Sequence, residues 1–550
     1  MKKNSKYLII ALACVVVLGG AVAALTLTGG TGEDMSSSAA ASSSSTIALI
    51  DKTDEDLASV TVTNETGTIT IHAHTETVET SSASEEASSG SESASSEAAE
   101  PQVEVAYEVD GLEGLALSDN VSTVARAGYS LTAQKSIGTV ENPEEFGLTD
   151  PTATVSAVYQ DGSTYSYSIG VENGGYYYVQ PDGSDEVYLA SISSVLFNSI
   201  NDLADTTLFE LEVGEDTSSA ASVAQTTGTY TESAILNVLH LSGTAFERAV
   251  TIEYDPEDGY LMTEPRHATA DSTKMSEITT SLTSLSADSL VKAHPSQEDL
   301  ESYGLADPAV VCEFTCNGKE YLLKLSATDA DGNRYIVYDG IDAVFQIANS
   351  TVTSWADADP FYLQSTLTLL PNIVTVSGMD LTANGQNYHF TIDREEDEEE
   401  STEDNTAYIY TVTNGDGTVL DYEENFKHFY LTLISITVAE DSWEMPAGEP
   451  QFTCTFSYYD GSDPDTIEYY KVSDRRYAIV ANGELMGLAL SDTVDLAMNN
   501  LVLLNNGETV PDPNLIWTQV AQAARLSLDA NRARRVPRRT MAKEIDPLAI

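Results

Sequence analysis

Two histidines separated by one residue are the first candidates for chemistry in this sequence. His72 and His74 lie in an alternating segment, so both side chains project from one face of a predicted strand. Glu76 continues that face, and two imidazoles with a carboxylate are ligands that a metal ion can use. A solvated strand face beside a polar loop explains the same pattern, since the spacing fixes no further ligand. We therefore assign no metal-binding residue, and metal binding here stays an alternative.

Two acidic segments could supply oxygen ligands to Ca²⁺. Residues 394–404 are almost all acidic, but a flexible loop would bind calcium weakly and without defined geometry. Residues 329–333 (DADGN) resemble the start of a calcium loop, yet they lack the correctly placed glycine and the closing glutamate of an EF-hand. The sequence therefore predicts a solvated insertion in the first case, a β-turn in the second, and no cofactor.

One spacing fits a nucleophile with a base. Ser289 and Lys292 satisfy S-x-x-K, but no K-T-G follows, and a serine-rich chain matches this pattern by chance. The sequence contains no G-x-S-x-G, H-E-x-x-H, Walker or dinucleotide-binding motif. We predict no catalytic and no cofactor-binding residue and expect a protein that is not an enzyme. A hydrolase remains an alternative, because active sites are assembled in space.

Tyrosines concentrate in the predicted strands. Their apolar ring and polar tip suit half-buried sheets, and they also suit a carbohydrate- or protein-binding face. Both interpretations stay open for the following group: Tyr176, Tyr177, Tyr178, Tyr188, Tyr335, Tyr338, Tyr458, Tyr459, Tyr469 and Tyr470.

The charge of the chain excludes one class of partner. It has 550 residues with 87 acidic and 25 basic side chains, a formal charge of −62. A polyanion is repelled by nucleic acid, so a phosphate-neutralising nucleic-acid binder is excluded. The length suggests three or four domains of about 150 residues.

The N-terminus predicts a membrane segment. Leu8 to Leu27 contain no charged residue and span about 30 Å as a helix. Lysines precede the span and acidic residues follow it, so the positive-inside rule exports the rest of the chain. We expect an uncleaved, single-pass anchor in the cell membrane. A cleaved secretory signal and a lipoprotein signal at Cys14 are the alternatives.

The other cysteines show no disulfide or zinc pattern. Cys312 and Cys316 share one face of a predicted strand and would be roughly 13 Å apart, too far for a disulfide. Cys454 is alone in its region.

Self-similarity divides the rest of the chain into three copies of one unit. Residues 144–155 (EEFGLTDPTATV) align with 301–312 (ESYGLADPAVVC), and the match continues through 161–195 and 317–352. A degraded third copy follows at 449–461 and 476–494. Counting four residues from the proline of each copy gives Val155, Cys312 and Cys454, which predicts one small, buried strand position.

Each unit begins with a hairpin, at 60–74, 238–254 and 374–392. A short strand and a helical stretch follow, the helix being clearest around Met275 to Leu285. About four antiparallel strands and a closing helix, such as 193–208, complete the unit. Low-complexity runs at 81–100 and 393–405 fall at the same point of the first and third copies, where the second has a short turn at 255–259.

The Tyr/Phe-Gly-Leu-x-x-Pro turn, the Asp-Gly hairpin, the Tyr-rich strand and the closing helix resemble a bacterial family, domain of unknown function 4340. The resemblance covers about residues 57–510. It implies an N-terminal anchor and tandem domains, and it supplies no active-site residue. Members are often encoded near ABC-transporter and gliding-motility auxiliary genes, which implies an envelope or transport-accessory role.

We predict an α+β fold of tandem units, each an antiparallel sheet with helices, behind a transmembrane helix. The domain assignment is a transmembrane helix at 1–28, a Ser/Ala-rich linker at 29–56, units at 57–212, 230–365 and 366–510, and a basic, disordered tail at 511–550. The expected function is a non-enzymatic, membrane-anchored interaction or accessory protein of the cell envelope, with a transporter complex as one partner. The alternative is an extracellular module that binds a small molecule or glycan.

Overall fold

The computed structural model describes residues 46–78, 102–212, 234–402 and 406–513. The predicted membrane segment, residues 29–45 of the linker, the insertion at 81–100 and the tail from residue 514 lie outside these ranges. Among the helices of the described residues, none is long and apolar enough to cross a membrane.

The first unit is built on a nine-stranded antiparallel sheet. Along the sheet the strand order is β1-β5-β9-β8-β7-β6-β2-β3-β4, and one helix, α1 (Asn120–Tyr129), packs on it. The strands are β1 (Ile47–Asp51), β2 (Leu57–Asn64), β3 (Gly67–Val78), β4 (Gln102–Val109), β5 (Ser130–Thr139), β6 (Ala153–Tyr159), β7 (Thr164–Asn173), β8 (Tyr176–Pro181) and β9 (Glu186–Ala190).

The second unit repeats this plan. Its sheet has the order β14-β13-β12-β11-β17-β18-β19-β20-β16. The strands are β11 (Val238–Ser242), β12 (Val250–Asp255), β13 (Gly259–Glu264), β14 (Ala268–Thr269), β16 (Ser289–Ala293), β17 (Val310–Cys316), β18 (Lys319–Leu325), β19 (Asn333–Tyr338) and β20 (Ala343–Ala348). The helices are α2 (Ser272–Thr283), α3 (Gln297–Ser302), α4 (Asn349–Ala356) and α5 (Pro360–Leu363). Two further strands, β10 (Thr207–Glu210) and β15 (Ser284–Ser286), pair with each other.

The third unit has an eight-stranded sheet of order β24-β23-β22-β21-β25-β26-β27-β28. Its strands are β21 (Val376–Ala383), β22 (Gln386–Glu396), β23 (Tyr408–Asn414), β24 (Val419–Leu420), β25 (Phe452–Tyr458), β26 (Asp465–Ser473), β27 (Arg476–Ala481) and β28 (Glu484–Leu490). A π-helical turn at Tyr422–Phe426 leads into α6 (Lys427–Ile434), and α7 (Ser491–Asn505) closes the unit.

The three sheets share one topology. A hairpin and a third strand form one side of each sheet, and four consecutive antiparallel strands form the other. In the first two units the chain crosses by a helix to the far edge, where β5 pairs with β9 and β16 pairs with β20. In the third unit the far edge keeps only a single bridge, between Glu440 and Leu488. The repeat predicted from the sequence is therefore a repeat of topology.

Register agrees among the units as well. The backbone N–H groups of Asp182, Asp339 and Asn482 donate to the carbonyls of Ser166, Leu322 and Thr466, at 2.9, 3.1 and 2.8 Å. These bonds occupy the same place, after the third meander strand of each unit.

The predicted small buried position is confirmed. Val155, Cys312 and Cys454 are 1%, 0% and 0% exposed, each in the central strand that follows the proline. Each pairs with an apolar residue of the opening hairpin: Val62, Leu241 and Leu381. The core of each unit lies on this face of its sheet.

The first two units share one hydrophobic core. Strand β10 leaves the first unit and pairs with β15 of the second. Phe209 on β10 lies 5.8, 5.3 and 5.3 Å, between ring centroids, from Phe314, Tyr321 and Tyr338 of the second unit. Because aromatic rings in this range attract one another and exclude water, this contact fixes the two units together.

A buried arginine joins the second unit to the third. The side chain of Arg266, 4% exposed, donates to the carbonyls of Leu485 and Met486 at 3.1 and 2.7 Å. It also donates to the Asp441 carboxylate at 2.9 Å, and its Cζ atom lies 3.6 Å from the centre of the Trp443 ring. A planar guanidinium can satisfy all these partners at once, which a lysine cannot.

Four sequence assignments are corrected. Residues 47–51 of the assigned linker form β1, which pairs with β5. The assigned acidic loop starts later than residue 393, because β22 continues to Glu396 opposite Tyr408. The predicted closing helix at 193–208 is two 3₁₀ turns followed by β10, since Ser193 and Ser199 each cap a separate short turn. The sequence patterns did not predict β5 and β16, the strands that follow the crossing helices.

Candidate functional site

A row of side chains, four polar and one apolar, crosses five strands on the outer face of the second sheet. Cross-strand pairing places Glu264 beside Thr251, Thr251 beside His240, and His240 beside Glu313. Leu322 follows Glu313 in the same row. Directly paired residues project from the same face with Cβ atoms about 5 Å apart, so the sheet itself brings these five side chains together.

Hydrogen bonds fix the orientation of the histidine. The Thr251 hydroxyl donates to the Glu264 carboxylate at 3.0 Å, and His240 Nδ1 lies 2.9 Å from the same hydroxyl oxygen. A hydroxyl has one proton, and here the carboxylate accepts it. The oxygen must therefore accept a hydrogen bond from Nδ1–H, which leaves Nε2 of a neutral His240 as an acceptor.

The row borders a cavity of about 570 Å³. Along the strands it begins at Val238 and Thr315 and ends at the turn that follows β19. Strand β18 pairs with β19 only from Leu323 onward, so the first half of β18 faces open space there. The lining residues are Val238, His240, Glu313, Phe314, Thr315, Lys319, Glu320, Tyr321, Leu322, Tyr338, Asp339 and Gly340.

The lining combines apolar surface with an excess of negative charge. Glu313, Glu320 and Asp339 are exposed carboxylates, and Lys319 is the one ammonium group among the lining residues. Its Nζ atom lies 4.8 Å from the centre of the Tyr321 ring. A ligand here would meet apolar walls and a few polar groups, the usual combination in small-molecule sites.

Equivalent rows in the other units have a different composition. In the first unit the row is Thr70, Thr61, Ser156 and Ser166, and the last two hydroxyls are 2.9 Å apart. In the third unit the row is His389, Asp380, Thr455 and Thr466. There His389 Nδ1 lies 2.7 Å from Asp380, and the two threonine hydroxyls lie 3.2 Å apart. Only the second of these rows holds a glutamate at its centre.

The histidines considered from the sequence lie elsewhere. His72 is on β3, and its Nε2 atom is 3.1 Å from the Asp110 carboxylate. His74 and Glu76 follow in the same strand, opposite Ala106 and Glu104. Within the described residues, no three His, Cys, Asp or Glu side chains are close enough to hold a metal ion.

The predicted turn at 329–333 is confirmed. The Asp329 carboxylate accepts the backbone N–H groups of Asp331 and Asn333 at 2.9 and 2.8 Å. This side chain therefore closes the connection between β18 and β19.

Ser289 and Lys292 lie on β16, the edge strand of the second sheet. Ser289 borders a second, polar cavity of about 290 Å³ between the first two units. All three of its carboxylates already accept backbone N–H groups: Asp202 from Ser199, Asp205 from Thr207 and Asp288 from Ala348. This cavity is therefore part of a polar interface between the first two units.

The cysteines and tyrosines serve mainly in packing. Cys312, Cys316 and Cys454 are free thiols in buried positions, and burial raises the pKa of all three. Tyr469 is 1% exposed and stacks on Phe452 with ring centroids 5.4 Å apart. Tyr176 and Tyr459 are each 38% exposed, so part of the tyrosine set does face solvent.

Sequence reasoning missed His240 and Glu313. An isolated histidine in an alternating strand has no motif spacing to mark it. The available signal was the internal alignment, which places His240 where the other units have Thr61 and Asp380. That comparison requires the register of the opening hairpins, which the structure supplies.

Comparison with known proteins identifies the family. A family model described as a domain of unknown function, DUF4340, matches residues 104–229 and 261–434, more than half of the chain. No curated protein and no solved structure matches the chain significantly. Two matched segments agree with the tandem units, and the chain belongs to the DUF4340 family.

Proposed function

We propose that this protein is a membrane-anchored, extracytoplasmic, non-enzymatic accessory protein of the cell envelope. Its three units would act as one rigid body that contacts an envelope partner, such as an ABC-transporter-type complex. The observation that carries the proposal is the continuous joining of the units, through the Phe209 contact and the Arg266 contact.

Rigid joining matters because a partner can then contact more than one unit at once. Binding at two linked surfaces costs little further entropy when their relative position is already fixed. Flexibly linked units would lose that advantage.

The sequence supports the location. The uncharged segment from Leu8 to Leu27 would supply the transmembrane helix, and the Gly/Ser/Ala segment after it would separate the units from the bilayer. The charge of −62 suits a solvated, exported surface and disfavours nucleic acid.

Cysteine labelling tests the topology. Asp185, in an exposed turn of the first unit, is replaced by Cys in a Cys14→Ser chain, where the remaining thiols are buried. A membrane-impermeant maleimide should label Asp185→Cys in intact cells. Labelling only after permeabilisation would show that the units are not exported. Deletion of residues 8–27 should leave the protein in the soluble fraction and unlabelled in intact cells, because the same segment directs export.

Affinity capture tests the partner. The full chain, cross-linked in cells and recovered from solubilised membranes, should retain a membrane protein that an Arg266→Met chain retains less well. Recovery of no membrane protein by the full chain would count against the accessory role.

A second candidate function is the binding of a small molecule outside the membrane. The specific observation in its favour is the 570 Å³ cavity beside His240 and Glu313. A cavity of this size with apolar walls and a few polar groups fits a small ligand.

A further inference from the structure

We propose that the cavity of the second unit binds a small organic cation, an amine attached to an apolar body. This inference rests on the second candidate function and names its ligand class. It is carried by the charge of the lining, the acceptor on His240 and the difference between the three equivalent rows.

The lining of the cavity carries a net negative charge. Glu313, Glu320 and Asp339 line the cavity against Lys319, a net charge of −2. Within the described part of the chain, none of these three carboxylate side chains forms a hydrogen bond or ion pair. An ammonium group can approach them without displacing a protein partner, and the negative field of the lining attracts it.

His240 offers a hydrogen-bond acceptor to a ligand in the cavity. The chain from Glu264 through Thr251 to His240 leaves Nε2 as an acceptor. An amine has N–H donors to offer both to this nitrogen and to the adjacent Glu313 carboxylate. A carboxylate ligand would meet like charge at Glu313 and no donor at Nε2.

The cavity also has apolar walls. Val238, Leu322 and Tyr338 give the cavity apolar surface, which suits the hydrocarbon part of an amine. A divalent metal alone would leave that surface unused, and no described group of three His, Cys, Asp or Glu residues could hold one.

The other units provide the comparison. At the position of Glu313 they have Ser156 and Thr455, whose hydroxyls bond to the next residue of their own rows. In those rows the hydroxyls are hydrogen-bonded to each other. In the row of the second unit, by contrast, His240 and Glu313 keep acceptors at a cavity. The same fold thus accepts a hydroxyl at this position, so a replacement by serine has a precedent within the chain.

Isothermal titration calorimetry of the full chain in detergent micelles tests the proposal, with empty micelles as the blank. The probes are phenethylamine and its uncharged counterpart 2-phenylethanol. We expect saturable binding of the amine and at least about tenfold weaker binding of the alcohol, a difference of about 1.4 kcal/mol.

Variants locate the site. Glu313→Ser and His240→Thr, which install the residues of the first unit, should each weaken amine binding about tenfold or more. Asp380→Asn, in the equivalent row of the third unit, is the matched control and should bind as the unaltered chain does. Unchanged thermal unfolding of each variant shows that its fold is kept.

The contrary outcomes are distinct. Equal binding of amine and alcohol, both weakened by His240→Thr, would overturn the cation inference and leave a ligand-binding function. If neither probe binds, the result would count against both the cation inference and the ligand-binding function. Amine binding that is unaffected by Glu313→Ser and His240→Thr would show that the amine binds elsewhere and overturn the site.

Discussion

Arg266 provides the sharpest test of the joint between the second and third units. Its guanidinium makes bonds of 2.7 to 3.1 Å to two carbonyls and one carboxylate, and it lies on the Trp443 ring. Arg266→Met keeps the length and apolar stem but removes every donor. The carbonyls of Leu485 and Met486 and the carboxylate of Asp441 then lose a buried partner.

The size of the free-energy loss caused by Arg266→Met follows from how deeply each partner is buried. Breaking a buried ion pair costs about 3–5 kcal/mol when the remaining charge is left dry. The Asp441 side chain is 35% exposed, so water can replace part of the lost bond. We therefore expect a loss of about 3 kcal/mol in the free energy that holds the joint, at the lower end of that range.

Tryptophan fluorescence during urea unfolding measures this loss. Trp443 reports on the joint, Trp355 on the core of the second unit, and Trp517→Phe removes the remaining tryptophan. Arg248→Met is the matched control, because Arg248 also lies on the Trp443 ring, at 4.2 Å, but is 35% exposed. It should cost at most about 1 kcal/mol.

An intermediate loss is expected for Arg266→Lys, which keeps the charge without the planar fork. If Arg266→Met and Arg248→Met shift the transition equally, the buried arginine does not hold the units together and the reasoning is wrong.

Three further predictions concern a turn, a cap and the thiols. Gly147→Ala should lower the thermal midpoint of unfolding more than Gly162→Ala. Both glycines have positive φ, but a Cβ on Gly147 would lie 2.7 Å from Val171 Cγ1, whereas a Cβ on Gly162 would meet nothing within 4 Å. Equal shifts of the midpoint would contradict this expectation. Ser296 is the N-cap of α3, and its hydroxyl and N–H donate to the Asp299 carboxylate, which lowers the pKa of Asp299. The contribution of Asp299 to stability is therefore present above the unfolded pKa of about 3.9 and is lost as the pH falls. Asp299→Asn should therefore flatten the acid side of the stability–pH curve, and an unchanged slope would rule the cap out. In a Cys14→Ser chain the three remaining thiols should not react with a disulfide reagent at pH 8 until urea is added. They are buried, and burial raises their pKa. Rapid reaction of the native chain would show that the core is open to the reagent.

Much of the fold could be predicted from local patterns. The hairpins follow from alternation and from turn residues such as Asn384 and Gly385, which both have positive φ. The buried position of Cys312 and Cys454 follows from the internal alignment. These features depend on a few neighbouring residues, so the sequence displays them directly.

Other features depend on distant parts of the chain. Strand β5 is polar and alternates poorly, and it becomes a strand because β9 and β1 pair with it from both sides. The segment at 193–208 has helical spacing of apolar residues, but serine caps divide it into short turns. The candidate site joins His240 to Glu313, which are 73 positions apart in the chain, so only strand register could place them together.

The shared core of the first two units has a consequence for folding order. Phe209 is made early in synthesis, but its aromatic partners lie more than 100 residues later in the chain. The first unit therefore completes its packing only after the second has emerged, and contacts so distant in sequence slow the search for the native state. The third unit has a separate core. The chain should then fold in two steps, a two-unit block followed by a single unit that docks on it.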